Sequence, residues 1–262
     1  MKKLALLSLA VVGAVAANAQ SVDHDNLNAG LLQSWTIDGA REFGGNDDTA
    51  AYANLTSFTG QASINGGATG GITKMVMDDI TPGGGGSLAG QQASRIVFSV
   101  ANLNTVAVSA RVRLRFWFAD GPGGNPGTYY MGQGYTFNPI TFGAGSANLY
   151  QFTPTGFVIP AGAIWAGMTF DNVGGTATDA ELNNLGQLLY STPTAGSSQD
   201  VMFSTTAAGS FFGTNLPAGS QFNFGGNPKA NVGYQIDTVP EPGTVAAMAA
   251  GLGVLALRRR RK

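Results

Sequence analysis

Acidic side chains are the most plentiful candidates for chemistry in this 262-residue chain. A glycoside hydrolase needs two carboxyl groups held roughly 5 to 9.5 Å apart across a cleft. Neighbouring strand residues point to opposite faces, so we do not expect Asp78 and Asp79 to share one site if residues 72–80 form a regular strand. Solvated turns and strand ends are the simpler interpretation of these acids, which include Asp47, Asp48, Asp171, Asp179, Glu181 and Asp200.

Residues for nucleophilic catalysis and zinc binding are scarce. The chain has no cysteine, and its single histidine is His24, close to the N-terminus. A Ser-His-Asp site needs a positioned base, and a zinc site needs several His or Cys ligands. We therefore predict no catalytic residue, no metal site and no cofactor. The alternative is Ca²⁺, whose oxygen ligands could come from loops 120–127 or 171–179.

Four residues of one predicted strand form the most distinctive polar pattern. Arg111, Arg113, Arg115 and Trp117 alternate with apolar residues, which predicts an outer face with side chains about 6.6 to 7 Å apart. Guanidinium groups make bidentate contacts with carboxylate or sulfate, and an indole ring can stack on a sugar. The pattern suits binding of an acidic polysaccharide. The structural alternative pairs the arginines with cross-strand acids such as Asp78 and packs the indole under a loop.

Alternation of apolar residues with a period of two predicts the strands that would carry these side chains. Residues 96–100, 106–118 and 164–170 alternate in this way, and the Gly- and Pro-rich segment 120–127 predicts a loop after the long strand. The parity changes at Asn138-Pro139, which predicts a bulge or an edge position. Shorter strands are predicted at 72–80, 149–152, 157–159, 201–204, 210–212, 221–224 and 232–236.

One helix is predicted, because Thr178 to Glu181 has the sequence of a capping box and leucines follow at helical spacing, namely Leu182, Leu185, Leu188 and Leu189. Many short strands, 39 glycines and no βαβ alternation predict a mainly β chain. We predict a single β-sandwich of jelly-roll or lectin-like type at 72–237. The polar, Gly-rich segment 20–71 would add two or three edge strands.

The N-terminus has the pattern of a secretory signal peptide. Lys2 and Lys3 precede an apolar run from Leu4 to Ala16, and Ala17-Asn18-Ala19 forms a cleavage site before Gln20. We predict that residues 1–19 are removed by signal peptidase during export. An exported chain without disulfides must be stabilised by its core.

The segment between the two predicted processing sites is acidic. Residues 20–238 hold seven of the 14 Lys and Arg residues but 14 of the 15 Asp and Glu residues, which gives a net charge of −7. Nucleic-acid binding depends on a cationic surface. We therefore expect no nucleic-acid partner.

The C-terminus combines three parts. Pro240, Glu241 and Pro242 interrupt regular structure. The apolar run 245–257 would be about 20 Å long as a helix, short of the ~30 Å hydrocarbon core of a bilayer. A basic end is expected on the cytoplasmic side, which would leave the rest of the chain outside. Its residues are Arg258, Arg259, Arg260, Arg261 and Lys262.

This order of parts resembles the PEP-CTERM sorting signal. The resemblance covers residues 238–262 and implies a short transmembrane helix recognised by a membrane-embedded exosortase, with removal of the tail near the Pro-Glu-Pro motif. It also implies a bacterium that has an outer membrane and makes exopolysaccharide. A plain membrane anchor is the alternative, but it leaves Pro240-Glu241-Pro242 unexplained.

The resemblance implies an exported protein that is anchored transiently in the inner membrane and then reaches the cell surface or the exterior. We expect a structural or adhesive protein of the extracellular matrix or biofilm, associated with exopolysaccharide, and not an enzyme. The alternatives are a carbohydrate-binding module that uses the Arg and Trp face, and a secreted glycan hydrolase. Signal peptidase and exosortase would be partners during processing.

Overall fold

The computed structural model describes residues 50–68, 74–83, 88–130, 134–205 and 219–238, and the backbone of two strands at 24–27 and 33–36. These residues form two mostly antiparallel sheets and one short helix. The predicted mainly β sandwich is thereby confirmed. Strands are numbered in chain order below.

The first sheet contains nine strands among the described residues. The order of its main path is β1-β9-β8-β12-β6-β14-β15, with β10 paired to β8 and β5 paired to β12. These strands are β1 (His24–Leu27), β5 (Gly67–Ala68), β6 (Met75–Ile80), β8 (Val108–Phe118), β9 (Tyr135–Phe137), β10 (Ile140–Phe142), β12 (Ile164–Asp171), β14 (Met202–Thr205) and β15 (Gly219–Phe222).

The second sheet contains eight strands among the described residues. Its main path is β16-β13-β7-β11-β2, while β17 pairs with both β7 and β3, and β4 pairs with β13. These strands are β2 (Gln33–Thr36), β3 (Ala50–Ala53), β4 (Phe58–Ile64), β7 (Ala93–Asn102), β11 (Ala147–Phe152), β13 (Leu185–Tyr190), β16 (Asn231–Val232) and β17 (Tyr234–Thr238).

Aromatic side chains from both sheets fill the space between them. Phe98 on β7 lies 5.4 Å from Phe137 on β9 and 5.6 Å from Tyr150 on β11, measured between ring centroids. Phe116 on β8 meets Phe157 edge-on at 5.0 Å. Such ring pairs stabilise a core beyond their buried area, and here they hold together a domain without disulfides.

The long predicted strand is confirmed as β8, although it begins at Val108 and not at Val106, which is exposed. The apolar face of β8 is buried in the core, as its alternation predicted. The predicted interruption at Asn138-Pro139 is also present, since β9 and β10 pair separately with β8 on either side of it. Segment 157–159 forms one isolated bridge, and segment 210–212 lies outside the described residues.

The predicted helix is one turn long, α1 (Asp179–Leu182). Its capping box is present: Glu181 N donates to Thr178 Oγ1 at 3.3 Å, and Thr178 N donates to Glu181 Oε2 at 2.8 Å. The prediction that Leu185, Leu188 and Leu189 continue the helix is wrong, because they belong to β13. Pairing with β4, β7 and β16 outweighs the local helical spacing.

Gly186 permits the close pairing of β13 with β4. A Cβ atom at this position would lie 2.0 Å from Ser63 O. We expect Gly186→Ala to lower the free energy of unfolding by about 1–3 kcal/mol, because the neighbouring backbone must move. Urea unfolding measures this, with Gly162→Ala as control since nothing lies within 4 Å of a Cβ there. Equal stability of the two variants would contradict the close approach.

Segment 20–71 forms five strands, β1 to β5, where two or three edge strands were predicted. β1 and β2 each pair with one strand at the end of a sheet path. β3 also pairs with a single strand, β17, and it buries Ala51 and Tyr52 completely. This part of the chain is therefore built into the sandwich.

Candidate functional site

Arg111 and Arg113 on β8 lie beside Asp171, which ends the neighbouring strand β12. Arg111 donates from Nε to Asp171 Oδ1 at 2.8 Å and from Nη2 to Oδ2 at 3.1 Å. Arg113 Nε donates to the same Oδ2 at 2.8 Å. The Asp171 carboxylate is fully buried. The arginines therefore pair with a cross-strand acid, as the alternative to polysaccharide binding predicted. The acid is Asp171 and not Asp78.

Arg115 and Trp117 point to the same outer face but are covered. Arg115 donates to two backbone carbonyl oxygens, those of Leu114 at 2.8 Å and Tyr135 at 3.0 Å. Trp117 packs against Tyr129 with 5.4 Å between ring centroids. Their exposed fractions are 0% and 1%. The predicted exposed row of four side chains is therefore wrong for these two.

Part of this cover comes from side chains of neighbouring strands, since Trp117 packs in one apolar cluster with Met75, Met77, Trp165 and Phe203. The rest comes from the chain that follows β8. This chain returns along the strand, where Phe118 N donates to Thr128 O at 2.9 Å and Tyr130 N donates to Phe116 O at 2.9 Å. Period-two alternation identifies the two faces of a strand but not what lies above each face. The predicted loop at 120–127 gave no signal that its continuation pairs alongside β8 and brings Tyr129 against Trp117.

The described residues contain a second polar cluster at the end of β6. Asp78 Oδ1 lies 3.4 Å and Asp79 Oδ1 lies 3.3 Å from the same atom, Ser198 Oγ. The expectation that neighbouring aspartates do not share a site is therefore wrong here. Ser198 lies just before β14, and β14 pairs with β6. This pairing brings the Ser198 hydroxyl to the end of β6, where it lies near both carboxyl groups.

Neighbouring groups hold this cluster in place. Asp78 Oδ2 accepts from Val232 N at 2.8 Å, and Asp79 Oδ2 accepts from Gln199 N at 2.9 Å. Asn231 Oδ1 lies 3.2 Å from Ser198 Oγ. Ser198 is half-buried and Gln199 is exposed, so the cluster is closed to solvent on one side and open towards the other. Sequence reasoning missed Ser198, Gln199 and Asn231, which meet the aspartates only through strand pairing.

The two carboxyl groups lie in an environment that disfavours their charge. Burial, and then the adjacent Asp79, raises the pKa of Asp78 well above its usual value. Burial raises the pKa of Asp79 to about 6, although the Gln199 and Ser198 hydrogen bonds oppose the shift. Within the described residues, neither aspartate takes part in an ion pair; the ion pairs found there are Arg95–Asp237, Arg111–Asp171 and Arg113–Asp171.

The raised pKa of Asp79 predicts a pH dependence of stability in buffer without divalent cations. The folded protein retains a proton that the unfolded chain releases near pH 4, so this stabilisation is present below pH 4 and is lost as the pH rises through about 6. A pKa shift of this size corresponds to roughly 2–3 kcal/mol. Urea unfolding between pH 4 and 7 measures it. Asp79→Asn should reduce the decrease in the free energy of unfolding between pH 4 and 7. An unchanged pH dependence in that variant would contradict the assignment of the raised pKa to Asp79.

The two loops proposed for Ca²⁺ do not offer free carboxylates. Asp171 is engaged by two arginines and also accepts from Val173 N at 2.9 Å. Asp120 Oδ1 accepts from Thr128 N at 2.6 Å, and hydrogen bonds from Thr128 lower the pKa of Asp120. No group of three or more His, Cys, Asp or Glu side chains suited to a metal occurs among the described residues.

The C-terminal strand β17 connects the sandwich to the tail. It lies between β3 and β7, and Tyr234 and Ile236 are each 1% exposed. The Asp237 carboxylate forms an ion pair with Arg95. Thr238 pairs with Ala93 at the end of the strand. The C-terminal tail, residues 239–262, therefore begins directly after a central strand of the second sheet.

The family model for the PEP-CTERM protein-sorting motif matches residues 238–262. The chain carries a PEP-CTERM sorting motif. The predicted resemblance is confirmed, and with it export, a membrane-anchored sorting intermediate and processing by exosortase. No curated protein and no solved structure matched the chain.

The residues of the two processing signals lie outside the part of the chain that the structure describes. These are Ala17, Ala19 and Gln20 at the N-terminus, and Pro240, Glu241, Pro242, Arg258, Arg259, Arg260, Arg261 and Lys262 in the PEP-CTERM tail. The predicted membrane helix at 245–257 lies there too. Among described helices, none has the length and apolar character needed to cross a bilayer.

Proposed function

We propose that this PEP-CTERM protein is a structural or adhesive component of the cell surface or extracellular matrix, where it associates with exopolysaccharide. The observation that carries the proposal is the sorting motif, which follows directly on a central strand of the sandwich. The exported module would be the folded domain itself. Its aromatic core and paired strands suit a protein that must persist outside the cell without disulfides.

If the proposal holds, residues 239–262 determine whether the exported domain reaches the cell surface or matrix. Producer cells that express the chain without residues 239–262 should release the domain or retain it in the periplasm, whereas the intact chain should reach the surface or matrix. Immunoblotting of cell fractions measures this. Enzymatic removal of the exopolysaccharide should then release the processed domain from the matrix of cells that express the intact chain. Equal distribution of the two chains, or retention after the polysaccharide is removed, would contradict the proposal.

A carbohydrate-binding module on β8 is the first alternative. The side chains of Arg111 and Arg113 are 18% and 11% exposed. A sugar acid could therefore contact only a small part of each guanidinium group. Burial of Arg115 and Trp117 weighs against this alternative. If it holds, Arg111→Lys should weaken retention on acidic polysaccharide while the domain stays folded, because lysine keeps a positive charge beside Asp171 but loses the bidentate guanidinium contact.

Glycan hydrolysis is the second alternative, and Asp78 with Asp79 is the carboxyl pair that favours it. Hydrolases of this kind use one carboxyl group with a raised pKa and a second one nearby. Asp78 is completely buried, so a sugar could reach it only if the sheets opened. The hydrolase alternative requires that the purified protein release reducing ends from the producer's polysaccharide, and we expect no release.

A further inference from the structure

The Ser198 hydroxyl has more acceptors around it than protons to give. Four oxygens lie 3.1 to 3.4 Å from Ser198 Oγ: Asp78 Oδ1, Asp79 Oδ1, Gln199 O and Asn231 Oδ1. A hydroxyl donates one hydrogen bond, while ionised carboxylates and carbonyl oxygens only accept. When both carboxyl groups are ionised, the one Ser198 hydroxyl proton faces four acceptor oxygens, although Val232 N and Gln199 N also donate to the two carboxylates.

Two further buried oxygens, on Tyr52 and Asn54, have no partner in full hydrogen-bonding geometry. Burial and the Asp78 charge raise the pKa of Tyr52, while the nearby Ser198 and Asn54 side chains, as weak hydrogen-bonding neighbours, lower it. Asn54 Oδ1 is also buried and unpaired, because the amide nitrogen of this residue donates to Val232 O at 3.2 Å. Buried polar atoms are almost always satisfied, so these two oxygens are available to a water molecule or a bound ion.

Surrounding hydrogen bonds orient the cluster towards a common point. Val232 N holds Asp78 Oδ2 at 2.8 Å, which leaves Oδ1 directed at Ser198. Asn231 Nδ2 donates to Ser191 O at 2.9 Å, so its oxygen and not its nitrogen faces the group. Oriented neighbours of this kind are typical of ligand-binding oxygens.

We propose that this cluster binds a divalent cation, Ca²⁺, through the carboxylates of Asp78 and Asp79, the Asn231 side-chain oxygen, the Gln199 carbonyl and the Ser198 hydroxyl. Ca²⁺ takes 6–8 oxygen ligands at about 2.3–2.6 Å, which in an octahedral arrangement places adjacent oxygens roughly 3.4 Å apart. The observed spacings of 3.1 to 3.4 Å around Ser198 Oγ fit this geometry. Water from the exposed Gln199 side completes the coordination.

The proposed site also connects the two sheets. Asp78 and Asp79 belong to β6 of the first sheet, whereas Asn231 and Tyr52 belong to β16 and β3 of the second. A bound cation would therefore stabilise the packing of one sheet on the other. Extracellular calcium modules typically bind at about 10⁻⁴–10⁻³ M, and an exported domain meets the cation only after it has left the cytoplasm.

Thermal unfolding of the full-length chain in detergent tests the proposal. After treatment with EDTA and removal of the chelator, 10 mM CaCl₂ should raise Tm by about 5–10 °C for a Kd near 0.1 mM. Mg²⁺ should raise it less, because Mg²⁺ demands shorter bonds and stricter geometry. No rise with Ca²⁺ at pH 7 would overturn the proposal.

Asp79→Asn should abolish the calcium-dependent rise in Tm. The matched control is Asp200→Asn, because Asp200 also accepts a backbone hydrogen bond, from Ala230 N at 2.6 Å, but lies outside the cluster. The control should retain the full rise. An undiminished rise in Asp79→Asn, or equal losses in both variants, would place the cation elsewhere and overturn the site.

Terbium luminescence provides a readout that does not depend on a variant folding. Tb³⁺ takes the place of Ca²⁺ in oxygen sites, and the Tyr52 hydroxyl places a sensitising ring beside the cluster. We expect tyrosine-excited Tb³⁺ emission from the wild-type chain that falls as Ca²⁺ is added. Emission that is absent, or that Ca²⁺ does not reduce, would contradict the proposed site.

Discussion

A chain that ends at Thr238 should fold as stably as the secreted protein, whereas a chain that ends at Gly233 should not fold. The difference between the two is β17, which lies between β3 and β7. Its Tyr234 and Ile236 side chains are buried in the core, and loss of such side chains costs about 2–5 kcal/mol each. Together these losses are comparable to the total stability of a domain, about 5–15 kcal/mol.

Circular dichroism and urea unfolding of the two truncated chains measure this effect. Tyr234→Phe in the chain that ends at Thr238 serves as control, because it keeps the ring and removes only the hydroxyl that donates to Gln187 Oε1 at 2.7 Å. The control should fold with a modest loss of stability. A cooperative unfolding transition in the chain that ends at Gly233 would show that β17 is dispensable. If β17 is required, processing must cut after Thr238 to release a folded domain.

Asp171→Ala should lower the free energy of unfolding by about 3–5 kcal/mol, because breaking a buried ion pair leaves unpaired charge. Asp171 is fully buried and accepts hydrogen bonds from Arg111 and Arg113. Urea unfolding measures the loss. Asp179→Ala is the control, since that carboxylate is exposed, and it should change stability by less than about 1 kcal/mol.

A compensated variant separates the loss of the ion pair from the loss of packing. Replacement of all three groups by apolar residues, Asp171→Leu with Arg111→Met and Arg113→Met, should recover most of the stability, because no charge is then left unpaired. If Asp171→Ala costs as little as Asp179→Ala, the three residues do not form a buried network in solution. That result would also reopen this face to a polysaccharide.

The β architecture could be predicted because period-two alternation reports one-sided burial. β8 and β12 lie where the alternation predicted strands, although every residue of β12 is buried and so both of its faces are covered. The break between β9 and β10 falls at the predicted proline. The helix prediction failed after Leu182 because leucine spacing cannot reveal that Gly186 approaches the Ser63 backbone. Pairing with three neighbouring strands is a tertiary effect that local spacing does not contain.

The two polar sites were less accessible to sequence reasoning, for different physical reasons. Arg111, Arg113, Arg115 and Trp117 were assigned to the correct face, but the side chains that cover this face come from other strands and from a loop with no periodicity. The Asp78–Asp79 cluster was set aside because a regular strand separates neighbours. Its partners Ser198 and Asn231 lie more than a hundred residues away along the chain, and only the sheet order brings them together.

The central claim is that the folded domain is exported and then separated from its sorting tail. The most direct test is the intact mass of the mature protein recovered from the surface or medium of producer cells. We predict a polypeptide that begins at Gln20 and ends shortly after Thr238, near the Pro240-Glu241-Pro242 motif, with β17 complete. Recovery of the chain mainly in the cytosol, with Met1 and Lys262 both present, would contradict it.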